Sequence, residues 1–318
     1  MVGLECKLFV MVNDRDEASP WVKTVVVPAA GMGTRFLPAT KTVPKELLPV
    51  VDTPGIELIA EEAAAVGADR LAIITAPNKQ EIMRHFEAFP ELVQTLEARG
   101  KKVQSEQVQR ANSLLNPIAV EQKEPLGLGH AVGLAESVLA HDEEFFGVML
   151  PDDIVLPMTA MERMVAVRNR LGGSVLLAVE VLREQTFNYG VFDVQDTDIH
   201  CVKKVVGMAQ EPAPAGAPSN LVAAGRYVLD LKIFDVLRRI TPGKGGELQL
   251  TDAIELLIQE GEPVHVVVHQ GMRHDLGNPG GYIPANVDFG LRSEAYGPAL
   301  YTKLKNILTD FEARKGLA

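Results

Sequence analysis

The sequence predicts an α/β fold: a mainly parallel sheet flanked by helices, with a smaller antiparallel β excursion and C-terminal helices. Three observations lead there. From Thr24 onward, short β-branched runs alternate with longer segments of helical period, the pattern of successive βαβ units. Around residue 186 the alternation gives way to strand-rich sequence with few helical stretches. From Pro298 to Gly316 helical spacing returns.

In order along the chain, residues 1–20 carry an apolar run only from Leu8 to Val12, with Glu5 before it and no small-residue cleavage pattern. They are expected to be a loosely held, flexible N-terminal extension rather than a signal peptide. "TVVVPA" from Thr24, "LAIITA" from Leu71, "FGVMLP" from Phe146 and "SVLLAVEV" from Ser174 are the strongest strand candidates. Between them Ile56 to Val66, His130 to Leu139 and Met161 to Leu171 place apolar residues at three-to-four spacing with charges opposite, as covering helices do. "TFNYGVFDVQDTDIHCVKKVVGM" and "NLVAAGRYVL" form the antiparallel excursion, expected to carry substrate contacts, with the Pro/Ala loop "QEPAPAGAPSN" between them. In the last segment Leu300, Leu304, Ile307 and Phe311 share one stripe, so this helix should pack on the core or on another subunit. The expected division is an extension over 1–20, one main domain over 21–292 and a C-terminal helix over 293–318, with no internal repeat.

With 318 residues, 47% hydrophobic and 23% charged, the chain can bury a full core. Its 42 acidic against 31 basic residues give a net charge of −11, so no overall positive field recruits nucleic acid or an anionic membrane. No apolar stretch approaches the roughly 20 residues of a membrane helix. Two cysteines, Cys6 and Cys201, are too few for a disulfide framework or a four-thiolate zinc site, which fits a reducing cytoplasm. A phosphate ligand must therefore meet local cations, backbone N–H groups or a bridging metal.

The stretch "PAAGMGTR", Pro28 to Arg35, is the place to look for such groups. A Walker A loop is excluded, because Gly31 and Gly33 are followed by Thr34 and Arg35. A dinucleotide fingerprint needs a third glycine at 36, where Phe36 stands, although Asp52 supplies the later acidic residue. What remains is a strand feeding a loop of small residues whose N–H groups are open to an anion, with Arg35 and Lys45 supplying charge. The alternative is a plain strand-to-helix turn with solvated cations. Prolines at 28, 38, 44 and 49 stiffen the loop and lower the entropy lost on ordering it around a ligand.

The run G-x-G-T-R-x-L-P-x-T-K-x-x-P-K-E-x-L-P resembles the signature of bacterial UTP:glucose-1-phosphate uridylyltransferases, also called UDP-glucose pyrophosphorylases. "EQKEPLGLGHAV", "MLPDDIVLP", "YGVF", "GRYVL", "GGELQLTDAI" and "RHDLGNPGGY" resemble the same family in its order, from about residue 22 to 292. The resemblance implies a Rossmann-like nucleotidyltransferase sheet and uridylyl transfer from UTP to glucose 1-phosphate, giving UDP-glucose and pyrophosphate. It also implies Mg²⁺ as cofactor and a homodimer or homotetramer. The residues agree: in-line displacement at phosphorus needs no protein nucleophile, and the sequence shows no G-x-S-x-G elbow.

By resemblance Arg35 and Lys45 are the catalytic cations, and Asp152 and Asp275 the metal pair, with Asp153 a neighbour of open role. Mg²⁺ suits this set, since it takes one or two carboxylates plus phosphate oxygens and water. Ala29, Ala30, Gly31, Gly33, Gln122, Gly127 and Asp152 are implied for the nucleotide, the Gln122 amide suiting the edge of uracil and Gly127 allowing backbone close to a flat base. Gly190, Gln210 and Glu211 are implied for the sugar. His130 is expected to pack rather than act as a base, because a phosphate monoester oxygen is already ionised at pH 7. His269 and His274 have no metal-ligand spacing, and Lys79 is expected on an outer turn.

One stretch departs from the family. Where members read M-V-E-K-P, this chain reads "MAQEP", so Gln210 replaces the glutamate that holds sugar hydroxyls and Glu211 the lysine that meets the sugar phosphate. Lys203, Lys204 or Arg226 compensates, or the register slips so that Glu211 takes the sugar, or the enzyme is weakened. Two other functions stay open: a nucleotidyltransferase using dTTP or another sugar phosphate, and a non-catalytic regulatory paralogue that binds sugar nucleotide.

Overall fold

The computed structural model describes residues 21–210 and 212–316, with side chains at all of them but Asn188 and Lys244. The expected extension over residues 1–20, and Glu211, lie outside the described residues. In chain order, β1 (Thr24–Pro28) leads through short 3-10 turns to the ribbon of β2 (Pro49–Val50) and β3 (Thr53–Pro54). There follow α1 (Gly55–Ala65), β4 (Arg70–Thr75), α2 (Gln80–His85), α3 (Pro90–Ala98), α4 (Lys102–Leu114), β5 (Asn116–Glu121), α5 (Leu128–Leu134), β6 (Phe145–Met149), β7 (Asp153–Leu156), α6 (Ala160–Leu171) and β8 (Ser174–Glu180). The second half has β9 (Gly190–Asp196), β10 (Val202–Gln210), β11 (Leu221–Asp230), α7 (Lys232–Leu237), α8 (Leu250–Gln259), β12 (Val264–Val268), β13 (Met272–Asp275), α9 (Pro279–Arg292) and α10 (Gly297–Lys315).

Nine strands form one sheet in the order β5-β4-β1-β6-β11-β8-β12-β10-β9. β1 lies inside it, parallel to β4 and β6, because Val25, Val26 and Val27 are β-branched and can be buried on both faces. Successive side chains leave opposite faces: Val25 and Val27 join the core layer that Ile56 and Ile59 of α1 and Met161 and Met164 of α6 cover. Val26 joins the other layer, under Val132 of α5, Phe234 of α7 and Ile254 of α8.

The parallel arrangement holds for β5-β4-β1-β6 and for β8 against β12. The antiparallel part is built from the expected segments, β9, β10 and β11, and is set into the main sheet. β11 lies between β6 and β8 and runs antiparallel to both, and β10 pairs antiparallel with β9 and β12. The sheet is therefore mixed. A separate ribbon pairs β7 with β13, in the register Asp275 to Asp153.

Among the described residues no helix is long and apolar enough to cross a membrane. α10 is mostly exposed: Leu300 and Leu304 are half-buried, while Ile307 is 58% and Phe311 46% accessible. Its stripe meets the core only at the N-terminal end.

Candidate active site

At the end of β1 the chain turns into the glycine loop at the carboxyl edge of the parallel strands, where open α/β sheets bind ligands. Ala29 is buried with both backbone groups engaged: its N–H donates to Ile74 O at 2.7 Å and its carbonyl accepts from Lys79 Nζ at 2.8 Å. It forms the wall of the site, and the groups left to face a ligand are those of Ala30 and Gly31. Gly31 is exposed, and a methyl group added to it would meet nothing within 4 Å. Gly33 has φ 65° and carries the loop over Lys45, whose Cβ lies 3.3 Å from where a side chain would begin. Thr40 Oγ1 donates to Gly33 O at 2.7 Å and pins the turn. Arg35 is exposed on a single 3-10 turn, Thr34–Phe36.

Lys79 does not sit on an outer turn. It is buried, with Nζ 2.9 Å and 3.1 Å from the carboxylate oxygens of buried Glu46 as well as on Ala29 O. Burial pushes the Glu46 carboxyl up against the opposing pull of Lys79 and Lys45, and burial pushes the Lys79 ammonium down against the pull of Glu46. The pair clamps the strand end to the segment carrying Lys45.

Lys45 Nζ is hydrogen-bonded to Asp152 Oδ2. Asp152 directly precedes β7, and the ribbon with β13 brings Asp275 beside it across 122 intervening positions of sequence. The two carboxylates face a common point: a methyl group placed on Gly277 would lie 2.9 Å from Asp275 Oδ1 and 3.1 Å from Asp152 Oδ2. Asp275 is held by Gly277 N at 2.7 Å and by Asn278 Nδ2 at 2.8 Å, while Asn278 Oδ1 caps α9 through Gly281 N. Asp153 has a different part. It accepts Gly225 N at 2.8 Å and both Nε and Nη2 of Arg273 at 2.8 Å to 3.0 Å, which locks the ribbon to β11. Among the described residues no group of three or more His, Cys, Asp or Glu could hold a metal ion. Two hard carboxylates fit a cation whose remaining ligands are phosphate oxygens and water, the donor set Mg²⁺ prefers.

Beside the glycine loop lies a cleft of about 560 Å³, bordered among others by Ala30, Met32, Val43, Pro77, Gln122 and Pro125. Gln122 follows β5, its N–H bonded to Thr75 O, and is buried. Its Nε2 donates to Gly127 O at 3.3 Å and to His130 Nδ1 at 2.9 Å. The close approach that Gly127 permits is to protein rather than to a base: at φ 102°, a methyl group there would lie 2.7 Å from Leu248 O. Leu248 N donates to Leu126 O and Gly129 N to Leu248 O, both at 2.8 Å, so the loop before α8 is bound to the loop before α5.

At the other end Gly190 and Gln210 are cross-strand partners on β9 and β10. Gln210 Oε1 lies 3.5 Å from where a Gly190 side chain would begin, with Met208 Cε and Thr251 Cγ2 nearer still. Glu255 of α8 accepts Met208 N at 2.6 Å and braces this strand. Gln210 thus shares a face with Gly190, downstream of a register shift in the β10–β9 pairing between Val205 and Gly207. The three expected compensating cations are placed elsewhere. Arg226 is fully buried in a two-pronged pair with Glu62 at 2.8 Å to 3.1 Å. Lys203 binds Asp196, and Lys204, six positions before Gln210, lies roughly 20 Å along an extended strand.

Residues 24–290 match the family model described as Nucleotidyl transferase. UTP–glucose-1-phosphate uridylyltransferase YngB of Bacillus subtilis is 40% identical over 288 residues, 90% of this chain and 96% of that protein. A structure of UDP-glucose pyrophosphorylase complexed with UDP-glucose aligns with a TM-score of 0.77 at 32% identity, covering 86% of this chain and 100% of the other. A UTP-bound UGPase from Acinetobacter baumannii aligns at 0.80 and 35% identity, over 91% and 99%.

Proposed function

Since the chain belongs to the nucleotidyl transferase family, we propose that it is a UTP–glucose-1-phosphate uridylyltransferase, making UDP-glucose and pyrophosphate. The observation that carries the reading is the convergence of Asp152 and Asp275 on one point beside Lys45, next to a cleft walled by the glycine loop.

UTP takes the cleft, its base toward Gln122 and its phosphates along Ala30, Gly31 and Gly33 toward Lys45. Arg35 and Lys45 offset the charge of the triphosphate, beside a cleft that Lys41 and Lys123 also border. Glucose 1-phosphate lies toward Gly190 and Gln210. One of its phosphate oxygens forms a bond to the α-phosphorus of UTP as the bond from that phosphorus to the bridging oxygen breaks, and pyrophosphate leaves. The attacking oxygen carries no proton at neutral pH, since the second phosphate pKa is about 6, so no side chain acts as base. Asp152 and Asp275 would hold Mg²⁺, which when bound neutralises charge on the phosphate oxygens. Lys45, paired with Asp152, joins the cation and metal sites into one rigid unit, so alignment of the two phosphates is the protein's main contribution.

The experiment is a panel of UTP, dTTP and CTP against glucose 1-phosphate and other sugar 1-phosphates, with and without Mg²⁺. The expected result is highest kcat/KM for UTP with glucose 1-phosphate, lost on chelation. Preference for dTTP or another sugar would move the assignment within the family, and sugar-nucleotide binding without turnover would make the chain a regulatory paralogue.

A further inference from the structure

Gln122 Nε2 has two protons, and the structure gives each an acceptor: Gly127 O at 3.3 Å and His130 Nδ1 at 2.9 Å. A backbone carbonyl can only accept, so the amide nitrogen must be the atom that faces Gly127. His130 must then present the lone pair of Nδ1, with its proton on Nε2. Turning the amide over would set Oε1 against the Gly127 carbonyl, acceptor against acceptor, whichever tautomer His130 took. Gln122 is buried on the cleft wall, and among the described residues no hydrogen bond is made to its Oε1.

We propose that His130 Nδ1, acting with the Gly127 carbonyl and making the shorter of the two bonds, holds the polarity of base recognition, fixing Gln122 so that only its Oε1, an acceptor, is offered to the pyrimidine edge. The inference rests on the reading of Gln122 as the group that meets the base. Uracil presents N3–H and satisfies that acceptor. Cytosine presents an unprotonated N3 and meets it with a second lone pair, leaving both unpaired in a desolvated place. Thymine also carries N3–H, so this device separates UTP from CTP and leaves dTTP to other contacts. His130 is a positioning residue: its imidazole meets Gln122, which meets the base.

The test is the ratio of CTP to UTP dissociation constants, measured by calorimetry on the whole chain for wild type, His130→Asn, His130→Leu and Gln122→Leu. Asparagine carries an oxygen near the place of Nδ1, and leucine fills similar space with a methyl group. The ratio should hold within about threefold in His130→Asn and fall about tenfold or more in His130→Leu and Gln122→Leu. Should His130→Leu fail to fold, His130→Phe removes the acceptor in its stead. A merely structural histidine would weaken both nucleotides together and leave the ratio unmoved. Collapse of the ratio in Gln122→Leu with none in His130→Leu overturns the proposal and leaves the function standing. An unchanged ratio in Gln122→Leu removes Gln122 from the base and the proposal with it.

Discussion

Lys79 is the residue whose place in the fold its sequence context hides most. It stands in "PNKQE", a polar turn by any local reading, yet it is buried against Glu46, 33 positions earlier, and Ala29 O. Lys79→Met should leave the buried Glu46 carboxylate without its hydrogen-bonded partner and cost about 3–5 kcal/mol, read as a lower urea midpoint. An unchanged midpoint would mean that the pair is not closed in solution. The pairing of Asp152 with Asp275 was legible only through resemblance, because no local pattern links residues so far apart. Asp152→Asn and Asp275→Asn should each reduce turnover about 10²-fold or more with folding intact, as loss of transition-state electrostatics does. Near-normal turnover in both would remove them from the metal site. On the ungapped sequence match Glu211 stands where the family carries its lysine. Glu211→Lys should then lower the KM for glucose 1-phosphate about tenfold, while a fall in activity would point to the slipped register.

Among elements, the amphipathic helices were the most readable. The period over Ile56 to Val66 and Met161 to Leu171 became α1 and α6 within a residue or so. His130 to Leu139 became α5 continued by a 3-10 turn, Ala135–Val138, because the sequence pattern does not distinguish the two. β13, "MRHD", has no apolar alternation at all, and its strand character comes from pairing with β7. That ribbon sets the spacing of Asp152 and Asp275, so the site's geometry could not be read from the sequence even where its residues could. Gly127 ties two more elements together, holding the loop before α5 against the loop before α8. Gly127→Ala puts a Cβ at φ 102° and 2.7 Å from Leu248 O, and should cost about 1–3 kcal/mol. The KM for UTP should rise with it, since Gln122 leans on the Gly127 carbonyl. Unaltered stability and KM would show that the loops part at no cost.

For the whole molecule, a mainly parallel sheet with an antiparallel part was foreseeable, and the insertion of that part into the main sheet was not. β11, expected in the antiparallel excursion, runs antiparallel between β6 and β8 inside the main sheet and buries Arg226 against Glu62 of α1. α10 was expected to pack on the core or on a second subunit; with Tyr301, Ile307, Leu308 and Phe311 exposed, the second is the reading we carry forward. Paired Ile307→Glu and Phe311→Glu changes should reduce the mass found by light scattering to that of a single chain, and a wild-type chain that is already monomeric would contradict the homodimer or homotetramer. The central claim is uridylyl transfer between two phosphates aligned by Lys45, Asp152 and Asp275. Pyrophosphate release from UTP and Mg²⁺, measured with and without glucose 1-phosphate, tests it most directly. The account predicts steady release that depends on glucose 1-phosphate and yields UDP-glucose in equal amount; release independent of the sugar phosphate, or none, would contradict it.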